Sequence, residues 1–420
     1  MTFHDNNTFH ENSAAVHGGG VYALNSNVTF HDNNTFHGNS AVNGGGINAW
    51  NSSVRFSGTG TFTDNTALSD GGGIHSFHCT FNTSGDITVR NNKAQRHGGG
   101  IYSDNSTIDI DGITEIQSNT VQQDGGGIYM SRTNLTLAGI NTFTTNSAMR
   151  GGGILAAAGS TVVSDGMNAF IANKADISGG GILVDYGNLT LNGNNSFEKC
   201  TARYEGGGIF TYASTINLPG KNNFLSNFAT LRGGGISARW SHLSFTNSSS
   251  FSKNLAESGG GIFIDSSTLD FGGLNTIKSN SANLGGGIYM LNSSLNFLGN
   301  NSFILNKAAK DGGGIYAREN GTIYLSGSNS FQGNTAAERG GGLFVKDSNL
   351  TSRTRTVSTN NAITDFDETA MKLPRYSEFC RNSAMTGGGL YSIVVWNFLK
   401  HIHSISQLTW PQMQGEVLPL

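Results

Sequence analysis

Fourteen Gly-Gly-Gly triplets punctuate the 420-residue chain, beginning at Gly18, Gly44, Gly71, Gly98, Gly125, Gly151, Gly179, Gly206, Gly233, Gly259, Gly285, Gly312, Gly340 and Gly387. Successive triplets lie 26 to 28 residues apart except the last pair, which are 47 apart. The triplets hold 42 of the 60 glycines, so glycine here marks one repeating position and not a flexible linker. A fixed period of this size is the signature of a stacked repeat, in which each copy buries its apolar face only against its neighbours.

Other columns keep step. A mostly aromatic one runs through Phe143, Phe170, Phe197, Phe224 and Phe303, with Val89, Ile116 and Ile277 in three copies. Three residues later comes Asn, including Asn146, Asn173, Asn227, Asn254, Asn280, Asn306 and Asn334, with Cys200 as the exception. Two residues further on Ala recurs, replaced once by Val121, and Ile, Val or Leu follows every triplet. Within a copy the apolar residues alternate, as in Leu295-Asn-Phe297 and Ile216-Asn-Leu218, which is the period of a strand and not of a helix. Each copy accommodates roughly three short strands, with Gly, Asn and Ser at the joins.

One copy is therefore one coil of a parallel β-solenoid, an all-β single-stranded β-helix of about 14 coils, with like residues stacked at about 4.8 Å per coil and a rod about 65 Å long. The Phe column predicts an internal ring stack. The Asn column predicts a ladder of amides bonded from coil to coil. The glycines answer either to a positive φ or to a Cβ that would strike the next coil, and the sequence leaves both open.

The pairing of Phe-x-x-Asn with Gly-Gly-x-Ile, as in Phe303-Ile-Leu-Asn306 followed by Gly312-Gly-Gly-Ile315, resembles the repeats of the chlamydial polymorphic outer membrane proteins. It is similar, more broadly, to adhesin-type right-handed parallel β-helices. The resemblance covers about residues 1–345 and 379–391. It implies a right-handed helix and an adhesin-like, extracellular or cell-surface role. Two departures stand out: that family usually carries Ala at the third glycine position, and its C-terminal membrane barrel has no counterpart here.

The unbroken period makes residues 1–345 one elongated domain. Residues 346–378 read as an inserted loop, 379–391 as the last coil, and 392–420 as a non-repeat tail, either a cap over the open strand edge or a truncation product. The tail's apolar run is too short to span a bilayer. Met1 falls inside a repeat, since residues 1–14 echo Val28–Ala41, and the expectation is a fragment whose targeting signal and anchor lie outside it. Sequons such as Asn27-Val-Thr, Asn105-Ser-Thr, Asn134-Leu-Thr, Asn188-Leu-Thr and Asn292-Ser-Ser suit a secreted glycoprotein.

Only 13% of the residues are charged and the net charge is −3, which removes a nucleic-acid or anionic-membrane footprint. Cys79, Cys200 and Cys380 lie in different copies, and stacking sets the first two about 20 Å apart, beyond disulfide reach. No cofactor or metal motif is present. Catalysis on polysaccharides needs paired carboxylates or a cationic base beside the substrate. Asp104, Asp185 and Asp265 share a column but recur only every third coil, so a carbohydrate-active β-helix enzyme is the alternative and not the first expectation.

Two columns bear on binding. The one preceding each triplet sets opposite charges on successive coils at Asp124/Arg150, Glu205/Arg232 and Asp311/Arg339, as inter-coil ion pairing favours. Asp70, His97 and Asp124 in the same column have the chemistry of metal ligands, but surface charge pairing accounts for them equally. The second follows the Ile column and includes Tyr102, Tyr129, Phe210, Phe263, Tyr289 and Tyr316. Strand alternation turns these outward, either as an exposed aromatic ribbon for a glycan or a cell-surface protein, or as a half-buried stripe. An adhesin-like scaffold without catalysis is the first reading, and a structural spacer of a larger surface protein is a third.

Overall fold

The computed structural model describes residues 1–352 and 377–393. All regular elements among them are strands. Three fourteen-stranded parallel sheets run the length of the solenoid, each strand paired with its counterparts one copy away. One sheet carries the Ile that follows the triplets (Val21–Leu24 to Leu390–Ile393), the next the Leu-x-Phe segments (Thr2–Phe3 to Asn349–Ser352), and the third the Phe column (Asn7–His10 to Ser377–Cys380). They are called here the isoleucine, leucine and phenylalanine sheets.

The three expected strands are joined by a fourth, shorter one at the Ala column, which forms an eight-stranded and a three-stranded ribbon. It spans only two residues in most coils, as at Thr201–Ala202, which is why alternation did not reveal it. The strand Asn349–Ser352 pairs with Thr322–Leu325, so the solenoid continues past residue 346, where the sequence placed the start of the loop. It resumes at Ser377–Cys380, which pairs with Asn329–Gln332. The rest of the expected insertion and nearly all of the 392–420 tail lie outside the described residues.

The register is residue on residue. Phe143 pairs with Phe170 and Phe170 with Phe197. Their rings stack at centroid distances of 4.7 and 4.8 Å with planes 7° and 4° apart, and the run continues through Phe224 and Phe251. Inter-strand spacing dictates these separations, since one ring per strand leaves little freedom to offset. All of these rings are buried, together with Ile and Leu of the other two sheets, in one continuous core.

The Asn ladder is more heavily bonded than expected. Asn119 Nδ2 donates to Asn146 Oδ1 at 3.0 Å and to the Val89 carbonyl at 2.8 Å, while the Asn119 backbone N–H also donates to Asn146 Oδ1 at 3.0 Å. The same set recurs for Asn227, Asn254, Asn280, Asn306 and Asn334, all with their side chains fully buried. Each amide thereby closes a corner whose backbone groups would otherwise be orphaned inside the protein.

The triplets serve both purposes that the sequence left open, at different positions. The first glycine has φ between 59° and 71° in every coil. The second and third have no positive φ but no room: a Cβ on Gly180 would lie 2.4 Å from the Gly207 carbonyl oxygen, and one on Gly181 2.6 Å from that of Gly208.

Candidate binding groove

Side chains at the second and fourth positions of each isoleucine-sheet strand point away from the core. The segment that leads into each triplet folds back over the second-position side chains of its own or the following coil. His97 stacks on Tyr129 at 4.6 Å, Arg232 Cζ lies 5.2 Å over the Phe263 ring, and Arg339 Cζ lies 4.9 Å over Phe344. The result is a concave bend along the rod, floored by the second-position column and walled by the column that precedes the triplets.

This corrects the exposed aromatic ribbon. Phe263, Tyr289, Tyr316 and Phe344 are buried and form a small second core with Leu284, Leu291 and Tyr391 at its margin. Tyr102, Tyr129 and Phe210 are half-buried. The column does face outward from the main core, but the wall covers it, and the arginines of that wall lie over ring faces where cation–π attraction favours them.

The wall holds the expected ion pairs. Arg150 clasps Asp124 with two bonds of 2.8 and 2.7 Å, Arg339 clasps Asp311 at 3.0 and 2.7 Å, and Arg232 meets Glu205 at 2.9 Å. Glu205 is shared, because Arg239 from the fourth-position column reaches the same oxygen. Burial pushes the Glu205 carboxyl up despite the opposing pull of Arg239. Asp185, also in the fourth-position column, is raised by burial too, with Arg150 opposing. His97 Nδ1 is 3.6 Å from Asp124 Oδ2, a carboxylate already held by Arg150. Among the described residues no three His, Cys, Asp or Glu side chains are gathered as metal ligands would be.

Buried polar atoms without a hydrogen-bond partner concentrate here. Of ten such side-chain atoms among the described residues, seven line the bend, among them Asp70 Oδ1, His75 Nδ1, Asp104 Oδ1 and Arg239 Nε. Unpaired buried groups are costly, and their gathering along one face singles that face out.

One stretch of the bend widens into a cavity of about 550 Å³, lined by Arg150, Asp185, Tyr186, Glu205, Tyr212 and Arg239 among others. Tyr186 meets Tyr212 edge-on at 5.4 Å, and Tyr212 meets Trp240 edge-on at 5.0 Å. Tyr186 is 59% exposed and Trp240 55%. Both have positive φ, 51° and 47°. Other coils place Asn25, Asn51, Asn105, Asn292, Ser266 or Asp347 at this turn, but also His78, Arg132, Ala158, Ala213 and Glu319, all with positive φ. Tyr186 and Trp240 are the aromatic residues among them apart from His78, and their large rings gain nothing from the left-handed turn itself. Sequence reading missed this row because it scanned the column after Ile, whereas Tyr186 and Trp240 sit just past the strand, at a position that varies from coil to coil. A larger depression of about 670 Å³ over the phenylalanine sheet is lined by Ala169, Ser196, Asn223 and Ser250 together with Ile140, Met167 and Leu274, and its lining is mostly apolar.

The chain matches the family model described as right handed beta helix region over residues 2–169 and again over 78–249, which together span more than half of it. It belongs to the right-handed β-helix family. Within this β-helix, residues 294–318 also match the model of the Chlamydia polymorphic membrane protein repeat, the coil that carries Phe303, Asn306 and the Gly312 triplet. No match was found among curated proteins or solved structures. Among the described residues no helix is long and apolar enough to cross a membrane. Asp104, Asp185 and Asp265 fall in one column of the isoleucine sheet with two strands between each and the next.

Proposed function

We propose that this β-helix is an adhesin-like scaffold of the cell surface or extracellular space, which presents its long bend to a protein or glycan and performs no catalysis. The single observation that carries this reading is the aromatic row Tyr186, Tyr212 and Trp240, its outer two rings more than half exposed, beside a cavity lined by Arg150, Asp185, Glu205 and Arg239. Exposed rings beside unpaired polar atoms are the usual currency of recognition surfaces. The polymorphic membrane protein repeat at residues 294–318 supports the surface setting. So do the exposed sequon asparagines Asn27, Asn105, Asn134, Asn188 and Asn292, which leave acceptor side chains open to glycosylation.

The test is adhesion. Beads coated with the chain are expected to be retained by cell monolayers in a saturable manner that soluble chain competes away, with no polysaccharide cleaved when the chain is incubated with pectins, glucans and glycosaminoglycans. Beads that bind no better than albumin-coated ones would refute the adhesin reading in favour of a spacer, and release of new reducing ends or unsaturated uronates would establish the enzyme instead.

A further inference from the structure

We propose that the widened stretch of the bend, from Tyr186 to Trp240, is a binding subsite for a neutral oligosaccharide chain lying along the solenoid axis. The proposal rests on the surface-scaffold reading for where such a ligand is met, and it names the ligand class.

The aromatic row supplies the first argument. Tyr186, Tyr212 and Trp240 come from three consecutive coils, one ring per coil, and their edge-on contacts each use the face of one ring only, where face-to-face stacking would use two. Two of the three are 55% or more exposed, so the chain leaves large apolar surface in water at a turn where a short polar residue would be less strained. The coil rise of about 4.8 Å is comparable with the length of one pyranose unit, so successive sugars of an extended chain meet successive rings. The apolar C–H face of a pyranose is the natural complement to an indole or phenol face.

Polar chemistry supplies the second. Arg239 is held by Glu205 through one nitrogen, yet its Nε is buried without a partner. Asp185 lines the same cavity and forms no ion pair or side-chain hydrogen bond among the described residues. A free carboxylate accepts from two vicinal hydroxyls at once, and a guanidinium Nε–H donates to a third, which is the donor and acceptor pattern that fixes a sugar. The cavity of about 550 Å³ has the size of a small-ligand site.

Charge decides against an acidic sugar. Arg150 is neutralised by Asp124, and Arg232 and Arg239 share Glu205, so three guanidinium groups face Asp124, Glu205 and the free Asp185. The Asp185 carboxylate, next in the chain to Tyr186 and outside any ion pair, repels a uronate and accepts a hydroxyl, while Arg203 lies over the ring of Tyr204 at the cavity's side. A purely cationic ligand would satisfy Asp185 but leave Arg239 Nε without an acceptor.

The experiment is calorimetric titration of the whole chain with neutral hexasaccharides of glucose, mannose and galactose, and with an oligogalacturonate as the acidic counterpart. At least one neutral series is expected to bind and to perturb tryptophan fluorescence, with the oligogalacturonate weaker. Trp240→Asn and Tyr186→Asn should each weaken binding by about tenfold or more. Both keep the fold, because Asn occupies this turn in other coils, and circular dichroism checks that. Trp50→Ala, a distant exposed ring, should change nothing. Absence of binding by every neutral sugar, tighter binding of the oligogalacturonate, or unaltered affinity in both Asn variants overturns the proposal. The adhesion assay separates the two readings. Adhesion that persists in Trp240→Asn and resists all of the sugars refutes the subsite, pointing to a protein contact, and leaves the adhesin reading standing. Sugar binding without adhesion supports the subsite and removes the adhesin role.

Discussion

Asn173 and Cys200 occupy successive rungs of the amide ladder, and the ladder is broken between them. Asn173 Nδ2 still donates to the Phe143 carbonyl at 2.7 Å, and the Cys200 N–H still donates to Asn227 Oδ1 at 3.0 Å. The Cys200 thiol imitates half of an amide by donating to the Phe170 carbonyl at 3.2 Å. What it lacks is the oxygen: the Asn173 backbone N–H and side-chain amide face a sulfur, a weak acceptor, at a site fully closed to water.

Cys200→Asn should therefore stabilise the protein. It supplies the acceptor for two buried donors at a position that is Asn in the other thirteen copies, and a net gain of about 1–2 kcal/mol is expected. Urea unfolding curves measure it as a higher midpoint at unchanged slope. A lower midpoint would mean that the ladder does not stabilise the corner.

His75 gives the fold an acid-sensitive point. It is 6% exposed, stacked on Tyr102 at 4.7 Å, and its Nδ1 has no partner. Burial, with a contribution from His17, pushes its pKa down to about 4. The unfolded chain binds a proton near pH 6.5 that the folded chain refuses until about 4, so stability falls as pH drops through that window and changes no further from this group below it. The loss amounts to about 3 kcal/mol. His75→Tyr, the residue at the same place in the next coil, should flatten melting temperature against pH between those limits. A variant with the unchanged slope would assign the acid sensitivity elsewhere.

The glycine triplets predict an asymmetry between two substitutions of the same kind. A Cβ on Gly180 would sit 2.4 Å from one carbonyl oxygen and 2.5 Å from another, both backbone, while one on Gly159 meets nothing within 4 Å although φ is 81°. Gly159→Ala should cost about 1–2 kcal/mol, the strain of the left-handed conformation alone. Gly180→Ala must push two coils apart and should cost about 3 kcal/mol or more, or prevent folding. Equal costs in thermal melts would mean that the backbone yields around the added methyl and that inter-coil contact does not explain the second glycine.

Most of the architecture was open to inspection in the chain because a solenoid writes each contact column as a sequence period. Phe143, Phe170 and Phe197 had to stack if the copies stacked, and the Asn column had to be buried beside them. What periodicity could not show was how coils fold back on themselves. The Ala strand is too short to alternate, and the wall that covers Phe263, Tyr289 and Tyr316 is a bend between segments, which no column records. Two further buried ladders went unread for a related reason. Ser and Thr at Ser106, Thr133, Ser241 and Ser267 accept backbone N–H groups from the preceding coil, and Asn141, Asn168, Asn195 and Asn222 bond side chain to side chain. Their residues sit at strand ends, where polar side chains are expected to face water. Tyr186 and Trp240 likewise sit just past a strand, at a position that varies from coil to coil and so forms no column.

Thiol chemistry offers a last, independent check on the stacking. Cys79 and Cys200 belong to different ladders, both are buried, and burial raises both thiols, Cys200 to about 12. Alkylation requires an exposed thiolate, so neither should react with iodoacetamide at neutral pH while the solenoid is intact. In increasing urea their labelling should begin together with the loss of strand signal, since reaching either sulfur means parting the coils above and below it. Peptide mapping by mass spectrometry reads each site separately. Labelling of Cys200 in native buffer at the rate of a free thiol would place it at the surface and contradict the interior Asn ladder from which the fold was inferred.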